Sequence, residues 1–226
     1  MIDLHAHILP CADHGSPSVD VSLKQLELAE NAGITGIVAT PHFYPARENV
    51  ERFISRRDAA YSALAAKLSG ISIELRLGAE VLICDNLEEI PGLERLCFYG
   101  SKIILLELPF TDFDKSFRDT VIALRERGMT VVIAHADRYD RHNIDTLIAC
   151  GARVQLNADS LTGLIRPRHL YDWIEKGHVV ALGSDIHLDD KRAYRDYLRA
   201  VKRLGPDRFG KINTAARALF ETTKPK

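Results

Sequence analysis

The sequence predicts an α/β fold of parallel strands and crossover helices, and three observations carry that prediction. Short apolar runs rich in Ile, Val and Leu recur along the chain, as strands buried on both faces require. Amphipathic stretches with a period near 3.6 separate them. Four of these stretches end in a glycine just before the next run, at Gly33, Gly128, Gly151 and Gly177. That is the left-handed position after a helix, where a Cβ would clash. Repeated helix–glycine–strand units leave two architectures, a closed barrel or an open doubly wound sheet.

The expected strands are, in order, 1–5, 34–40, 71–77, 102–108, 129–134, 153–157 and 179–182. After the first, Val21, Leu23, Leu26, Leu28 and Ala29 mark one helical face, with Asp20 at its start. Between the fourth and fifth, Phe117, Val121 and Leu124 mark another, beginning near Ser116. The stretch 84–100 is longer and less regular, and reads as a loop carrying a short helix. No linker, low-complexity run or shift in composition divides the chain, so residues 1–226 read as one domain.

Composition removes several function classes. The chain has 226 residues, 46% hydrophobic and 27% charged, with net charge −1. That balance offers no polycationic surface for nucleic acid. No apolar run reaches the roughly 20 residues that span a bilayer, and the first residues lack signal-peptide character, so a cytoplasmic protein without membrane insertion is expected. Cys11, Cys84, Cys97 and Cys150 are widely spaced and form no Cys-x-x-Cys pair; they read as small buried hydrophobes. None precedes an Arg by six positions, which excludes the thiolate phosphatase loop. P-loop and Gly-x-Gly-x-x-Gly patterns are absent.

The informative polar residues sit where strands end. The first strand leads into His5 and His7, with Asp13 and His14 in the loop beyond; the second leads to His42 and the third to Glu80. The fourth ends at Glu107, the fifth at His135, and the seventh at Asp185 and His187. Six of nine histidines thus fall at strand exits; His142, His169 and His178 do not. Loops from all strands converge at that face of a parallel sheet or barrel. Each residue alone is explicable as structure, but the set predicts a metal centre. Imidazoles and carboxylates without thiolates suit Mn, Fe or Zn. The surplus over the three or four ligands of one catalytic zinc predicts two or three ions, bridged by a carboxylate such as Glu80. Such clusters serve phosphate-ester hydrolysis. Arg138 and Arg192, near the same face, match phosphoryl oxygens. Phe43, Tyr44 and Tyr139 are candidates to line a mouth for an aromatic ring, or to pack the core.

The opening Met-Ile-Asp-Leu-His-Ala-His-Ile-Leu-Pro, then Ala-Thr-Pro-His, Gly-Ala-Glu, Leu-Leu-Glu-Leu-Pro-Phe, Ile-Ala-His-Ala-Asp-Arg-Tyr and Gly-Ser-Asp-Ile-His, resembles the polymerase and histidinol phosphatase (PHP) superfamily. Within it the order of motifs is most similar to the bacterial metal-dependent tyrosine-protein phosphatases of capsule and exopolysaccharide loci. The resemblance implies a distorted (β/α)7 TIM-like barrel with a manganese-dependent trinuclear site. It implies His5, His7, Glu80 and Asp185 around one ion, and Glu80, Glu107 and His135 around a second. His42, His187 and a first-loop residue hold the third. It also implies that Arg138 and Arg192 bind the phosphoryl group, and that the partner is a phosphotyrosine protein, an autophosphorylated bacterial tyrosine kinase controlling polysaccharide export. The chain departs from the family pattern at Cys11-Ala12-Asp13-His14-Gly15, where His14 replaces an acid and Asp13 is the alternative ligand, and in His-Ala-Asp-Arg-Tyr, where Asp137 shortens an acid.

The expected activity is therefore phosphomonoester hydrolysis without a phosphocysteine. Asp13, His14 or Asp137 is available should the phenolate leaving group, with a pKa near 10, need a proton. Rival readings are a phosphatase for histidinol phosphate or a nucleotide, a metal-dependent nuclease, or an amidohydrolase. The last lacks its strand-end lysine, because Lys102 opens its strand. A non-catalytic binding protein would have lost ligands, and nearly all are present.

Overall fold

The protein is described by a computed structural model covering residues 1–109, 113–165 and 167–226. Nine strands and six helices alternate in these residues: β1 (Ile2–Ala6), α1 (Val19–Asn31), β2 (Gly36–Ala39), β3 (His42–Phe43), α2 (Val50–Ala65), β4 (Glu74–Leu77) and β5 (Glu80–Leu82). They continue with β6 (Ile103–Glu107), α3 (Ser116–Glu126), β7 (Thr130–Ile133), α4 (Arg141–Ala149), β8 (Arg153–Asn157), α5 (Arg168–Glu175), β9 (Val179–Gly183) and α6 (Arg192–Glu221).

All pairings are parallel, in two sheets ordered β1-β2-β4 and β3-β5-β6-β7-β8-β9. The sheets are parts of one ring. Beyond the expected second strand, past Pro41, which has no N–H for the ladder, the chain pairs again as β3, and beyond the expected third, past Gly78, as β5. Across these breaks Gly78 N–H donates to Ala39 O at 2.8 Å and Glu80 N–H to Pro41 O at 3.1 Å. At the other edge Asp185 N–H donates to His5 O at 2.9 Å and His7 N–H to Ile186 O at 3.3 Å, joining β9 to β1. The result is seven strand positions in sequence order around a distorted barrel, which decides for closure over the open sheet.

The interruptions place Glu80 inside a short strand, where the sequence suggests a residue beyond one. The irregular stretch 84–100 holds two 3-10 turns, Leu87–Glu89 and Leu93–Leu96. Gly33, Gly128, Gly151 and Gly177 all adopt positive φ, between 73° and 91°, as helix ends require. Ser18, rather than Asp20, caps α1 by accepting from Val21 N–H. Ser116 does open α3, with its N–H on Asp114.

A helix-facing core runs through all the βα layers, with Leu26, Phe53, Leu124, Leu147 and Trp173 among its buried members. A second apolar cluster joins Ile2, Leu4, Val38, Leu105 and Val132 from four strands to Phe98 and Phe220. Phe220, near the end of α6, closes the N-terminal end of the barrel. A Cβ on Gly36 would stand 2.8 Å from its ring, so glycine is what lets the ring seat there. Helix α6 reaches that far because it bends at Gly205–Pro206.

Candidate metal centre

The opposite end of the barrel gathers the polar strand exits. His5 Nε2 and His7 Nε2 lie 3.1 Å apart, and each is 3.2 Å from Glu80 Oε2. Asp185 Oδ1 is 3.3 Å from His7 Nε2 and 3.7 Å from His5 Nε2. His135 Nε2 is 2.8 Å from the other oxygen of Glu80, Oε1, while His42 Nδ1 shares Oε2 with His5 and His7 at 3.0 Å. Glu107 lies 3.5 Å from His42 and 3.9 Å from His135. Glu80 therefore stands between two ligand groups, the geometry of a bridging carboxylate. Three candidate sets emerge among the described residues: His5, His7 and Glu80; His42, Glu80 and Glu107; His7, His42 and His187.

The side chains are arranged as metal ligands are. Three imidazoles have their Nδ1 beside an oxygen: His5 at Gln155 Oε1, 3.0 Å; His7 at Asp13 Oδ2, 2.7 Å; His187 at the Asp185 carbonyl, 2.9 Å. Donation there leaves each Nε2 with its lone pair facing inward, the supporting arrangement that orients ligating histidines. His187 Nε2 is buried without a hydrogen-bond partner, and His42 Nδ1 and Glu80 Oε2, though 3.0 Å apart, are not aligned to hydrogen-bond. Buried polar atoms are rarely left so, and divalent cations fit these.

The electrostatics ask for the same positive charge. Burial alone would raise Glu80, but the imidazoles of His5, His135 and His42 reverse the sign and hold it well below the carboxylate range. Burial alone would lower His42, yet Glu107 and Glu80 push it up to about 9. Protons are thus drawn to a place where cations satisfy the carboxylates equally well. Burial and the neighbouring His7 lower His187 to about 4, which keeps it neutral and able to ligate. His135 and Asp185 also hold left-handed backbone, with φ of 30° and 48°. Such strain costs roughly 1–3 kcal/mol per residue and concentrates at functional sites.

Several expected residues take other places. Asp13 is no free acid: it accepts from His7, from Gly15 N–H at 2.8 Å and from His42 N–H at 3.0 Å. Against its burial, the His7 bond holds it well below the ordinary range, so it orients His7 rather than delivering a proton. His14 is exposed at the rim, stacked on His42 and His187 with ring centroids 4.9 and 4.6 Å away, and is not in any of the three sets. Asp137 accepts from Asn157 N–H at 2.7 Å, and burial raises it to about 6. Phe43 is core, packed edge-on against Phe53, and the Tyr139 hydroxyl is bonded to Leu108 backbone; Tyr44 stacks on His42. Phe110, the last residue of the fourth motif, lies outside the described residues. Of the cysteines Cys97 is buried, Cys84 and Cys150 are half-buried, and Cys11 is exposed, contrary to the buried expectation.

Both arginines reach one cavity of about 290 Å³ beside the centre, lined also by Asn157, Ser184, Asp185 and His187. Arg138 Nη2 lies 2.6 Å from Asp185 Oδ2, so it is anchored to a candidate ligand. Arg192 is largely exposed and paired with Asp190 through two side-chain hydrogen bonds. Sequence reasoning missed Gln155 and Asn157, which are buried on β8 and hydrogen-bonded to His5 and Asp185 respectively. Their signal was two polar side chains alternating with Val154 and Leu156 on a buried strand.

Residues 1–215 match the family model described as capsular polysaccharide synthesis, CpsB/CapC. The chain is 30% identical to CapC of Staphylococcus aureus over 72% of this chain and 66% of that protein. It is 29% identical to the tyrosine-protein phosphatase YwqE of Bacillus subtilis over 73% of this chain and 67% of that one. The alignments thus span about two thirds of these relatives' length. The fold matches the crystal structures of YwqE from Bacillus subtilis and CpsB from Streptococcus pneumoniae, metal-dependent tyrosine phosphatases. The TM-score is 0.80 at 24% identity, over 100% of this chain and 96% of that one. On this evidence the chain belongs to the CpsB/CapC family of capsular polysaccharide synthesis.

Proposed function

We propose that the protein is a metal-dependent tyrosine-protein phosphatase. The observation that carries this reading is the coincidence of three features at one rim. Glu80 is shared between two ligand groups, buried ligand atoms lack aligned hydrogen-bond partners, and Arg138 is anchored on Asp185 beside an open cavity. The names of the CpsB/CapC relatives support the same chemistry. His5, His7, Glu80 and Asp185 hold one cation, and Glu80, Glu107 and His135 a second. His42 and His187 hold a third. The ions are manganese, two or three per chain. Once bound, divalent cations lower the pKa of water and neutralise phosphoryl charge.

The protein's own groups do the rest. Arg138 presents a guanidinium fork to the phosphoryl oxygens, and Arg192, lining the same cavity, is the second guanidinium available to them. Asp13 keeps His7 in its ligating tautomer. Asp13 is tied by His7, Gly15 and His42, and a phenolate with pKa near 10 leaves without a strong acid. The substrate is a phosphotyrosine protein, an autophosphorylated tyrosine kinase of capsule or exopolysaccharide export, met in the cytoplasm by a single-domain enzyme. No helix among the described residues is long and apolar enough to cross a membrane.

The test is hydrolysis of a phosphotyrosine peptide beside a panel of phosphorylated metabolites, before and after chelation and thiol alkylation. Chelation abolishes turnover, manganese restores it, alkylation leaves it intact, and the peptide outruns the metabolites. Turnover that survives exhaustive metal removal sinks the reading; a preference for a metabolite reassigns the substrate.

A further inference from the structure

We infer that Gln155 and Asn157 are positioning residues that set one metal ligand and the phosphate-binding arginine from a single hydrogen-bonded chain. The inference rests on the phosphatase reading for its Arg138 half only. Both side chains are buried on β8 and neither carries charge.

The polarity of the chain is dictated at its start. The backbone N–H of His135 donates to the Gln155 side chain at 2.7 Å, and a backbone N–H can only donate. The atom it meets is therefore Oε1. The same oxygen lies 3.0 Å from His5 Nδ1, which must then carry the proton. His5 Nε2 is left with its lone pair toward His7, Glu80 and Asp185.

The other end of the Gln155 amide is Nε2, which donates to Asn157 Oδ1 at 2.9 Å. That orients the second amide in turn. Asn157 Nδ2 faces Asp185 Oδ2 at 2.9 Å, the oxygen that also accepts from Arg138 Nη2 at 2.6 Å. Asp185 is thereby divided: Oδ2 is held by Asn157 and Arg138, and Oδ1 is the oxygen facing His5 and His7. One backbone N–H at a candidate ligand thus fixes a tautomer at a second and an oxygen at a third. Gly183 makes room for the chain, since a Cβ there would stand 2.4 Å from Gln155 Nε2 and 2.9 Å from His5 Cβ.

The two amides have separable tasks. Gln155 serves metal retention through His5 and supports the phosphate side only through Asn157. Asn157 serves phosphate capture through the shared oxygen of Asp185 and Arg138. A role in packing alone would not separate them.

The experiment compares Gln155→Leu and Asn157→Leu with the wild-type protein in two measurements. Manganese retention is read against a graded chelator, and inorganic phosphate is read as a competitive inhibitor of p-nitrophenyl phosphate turnover. Gln155→Leu is expected to weaken manganese binding roughly 10–100-fold, the usual effect of losing a supporting partner, and, since it no longer donates to Asn157, to weaken phosphate binding too. Asn157→Leu is expected to raise KM and the phosphate inhibition constant by about tenfold or more, moving kcat less and manganese retention less than Gln155→Leu does. Should either leucine variant fail to fold, Gln155→Glu decides. It keeps the acceptor for His135 and His5 but cannot donate to Asn157, so it is expected to hold manganese and lose phosphate affinity.

Equal effects of both leucine variants on both readouts, or effects on thermal unfolding alone, overturn the inference, as does Gln155→Glu shedding manganese with phosphate binding unchanged. A wild-type protein that binds manganese but neither phosphate nor an aryl phosphate overturns the phosphatase reading and the Arg138 half with it. The manganese arm still decides the His5 half.

Discussion

The two ends of the barrel are made by the same strands and have opposite chemistry. At the N-terminal end Ile2, Val38 and Phe98 meet the Phe220 ring from α6, and the contact is apolar. At the C-terminal end the chain finishes its strands in His5, Glu107, His135 and Asp185, all buried or nearly so. One end stabilises by excluding water. The other packs carboxylates and imidazoles that only cations or protons satisfy, and carries left-handed backbone at His135 and Asp185. The division teaches that stability and chemistry in this fold are assigned to different ends of each strand. Mutations should therefore sort by end.

The sharpest way to break that division is at Glu80. Glu80→Ala removes the carboxylate shared by both ligand groups. Its effect on kcat/KM should exceed the roughly 10–100-fold typical of a supporting partner, measured with a phosphotyrosine peptide. The metal-free variant also loses the carboxylate's contacts with His5, His42 and His135, so turnover is read below its own melting transition. A variant that is unstable yet active would merge the two ends. The next largest effect belongs to the other end. Phe220→Ala should cost about 3–5 kcal/mol in denaturant unfolding, the range for emptying a buried aromatic site. Its kcat below the melting transition should stay near wild type, and a matching loss of kcat would contradict the division.

Asp13→Asn sharpens the account within the catalytic end. The amide can still accept from His7 but loses the charge, so manganese affinity should fall by about tenfold, without the collapse expected of Glu80→Ala. A fall as large as that of Glu80→Ala would make Asp13 a ligand after all. The smallest effect is a null. Burial raises the Cys97 thiol to about 11, and no cysteine belongs to any of the three ligand sets. Alkylation of the native protein, followed by mass and by turnover, should modify exposed Cys11 first and leave hydrolysis unchanged.

Much of this was legible in the residues, for identifiable reasons. The αL glycines after four helices and the apolar runs mark βα units, because both follow from local backbone sterics and burial. His5, Glu80, Glu107, His135 and Asp185 were legible because charge at the end of an apolar strand is costly without a purpose. Closure of the ring was not, since the bonds from Asp185 to His5 and from His7 to Ile186 join the two ends of the chain. The roles of Asp13 and His14 were not, because adjacent polar residues in a loop can turn either side chain inward. The structure turns Asp13 in beneath His7 and leaves His14 on the rim. Gln155 and Asn157 escaped because an uncharged amide on a strand has no pattern until its partners are seen. Phe220 is one aromatic among several in an amphipathic helix, and only the bend at Gly205–Pro206 brings it under the barrel.

The central claim is that separate strand exits assemble a multinuclear cation centre around Glu80. It is tested most directly by counting manganese per chain by mass spectrometry, in wild-type protein and in Glu80→Ala, after equilibration with buffered metal. The account predicts two or three ions in the wild type and a loss of at least two in the variant. A wild-type chain that binds one ion or none, or a variant that keeps the full complement, would contradict it.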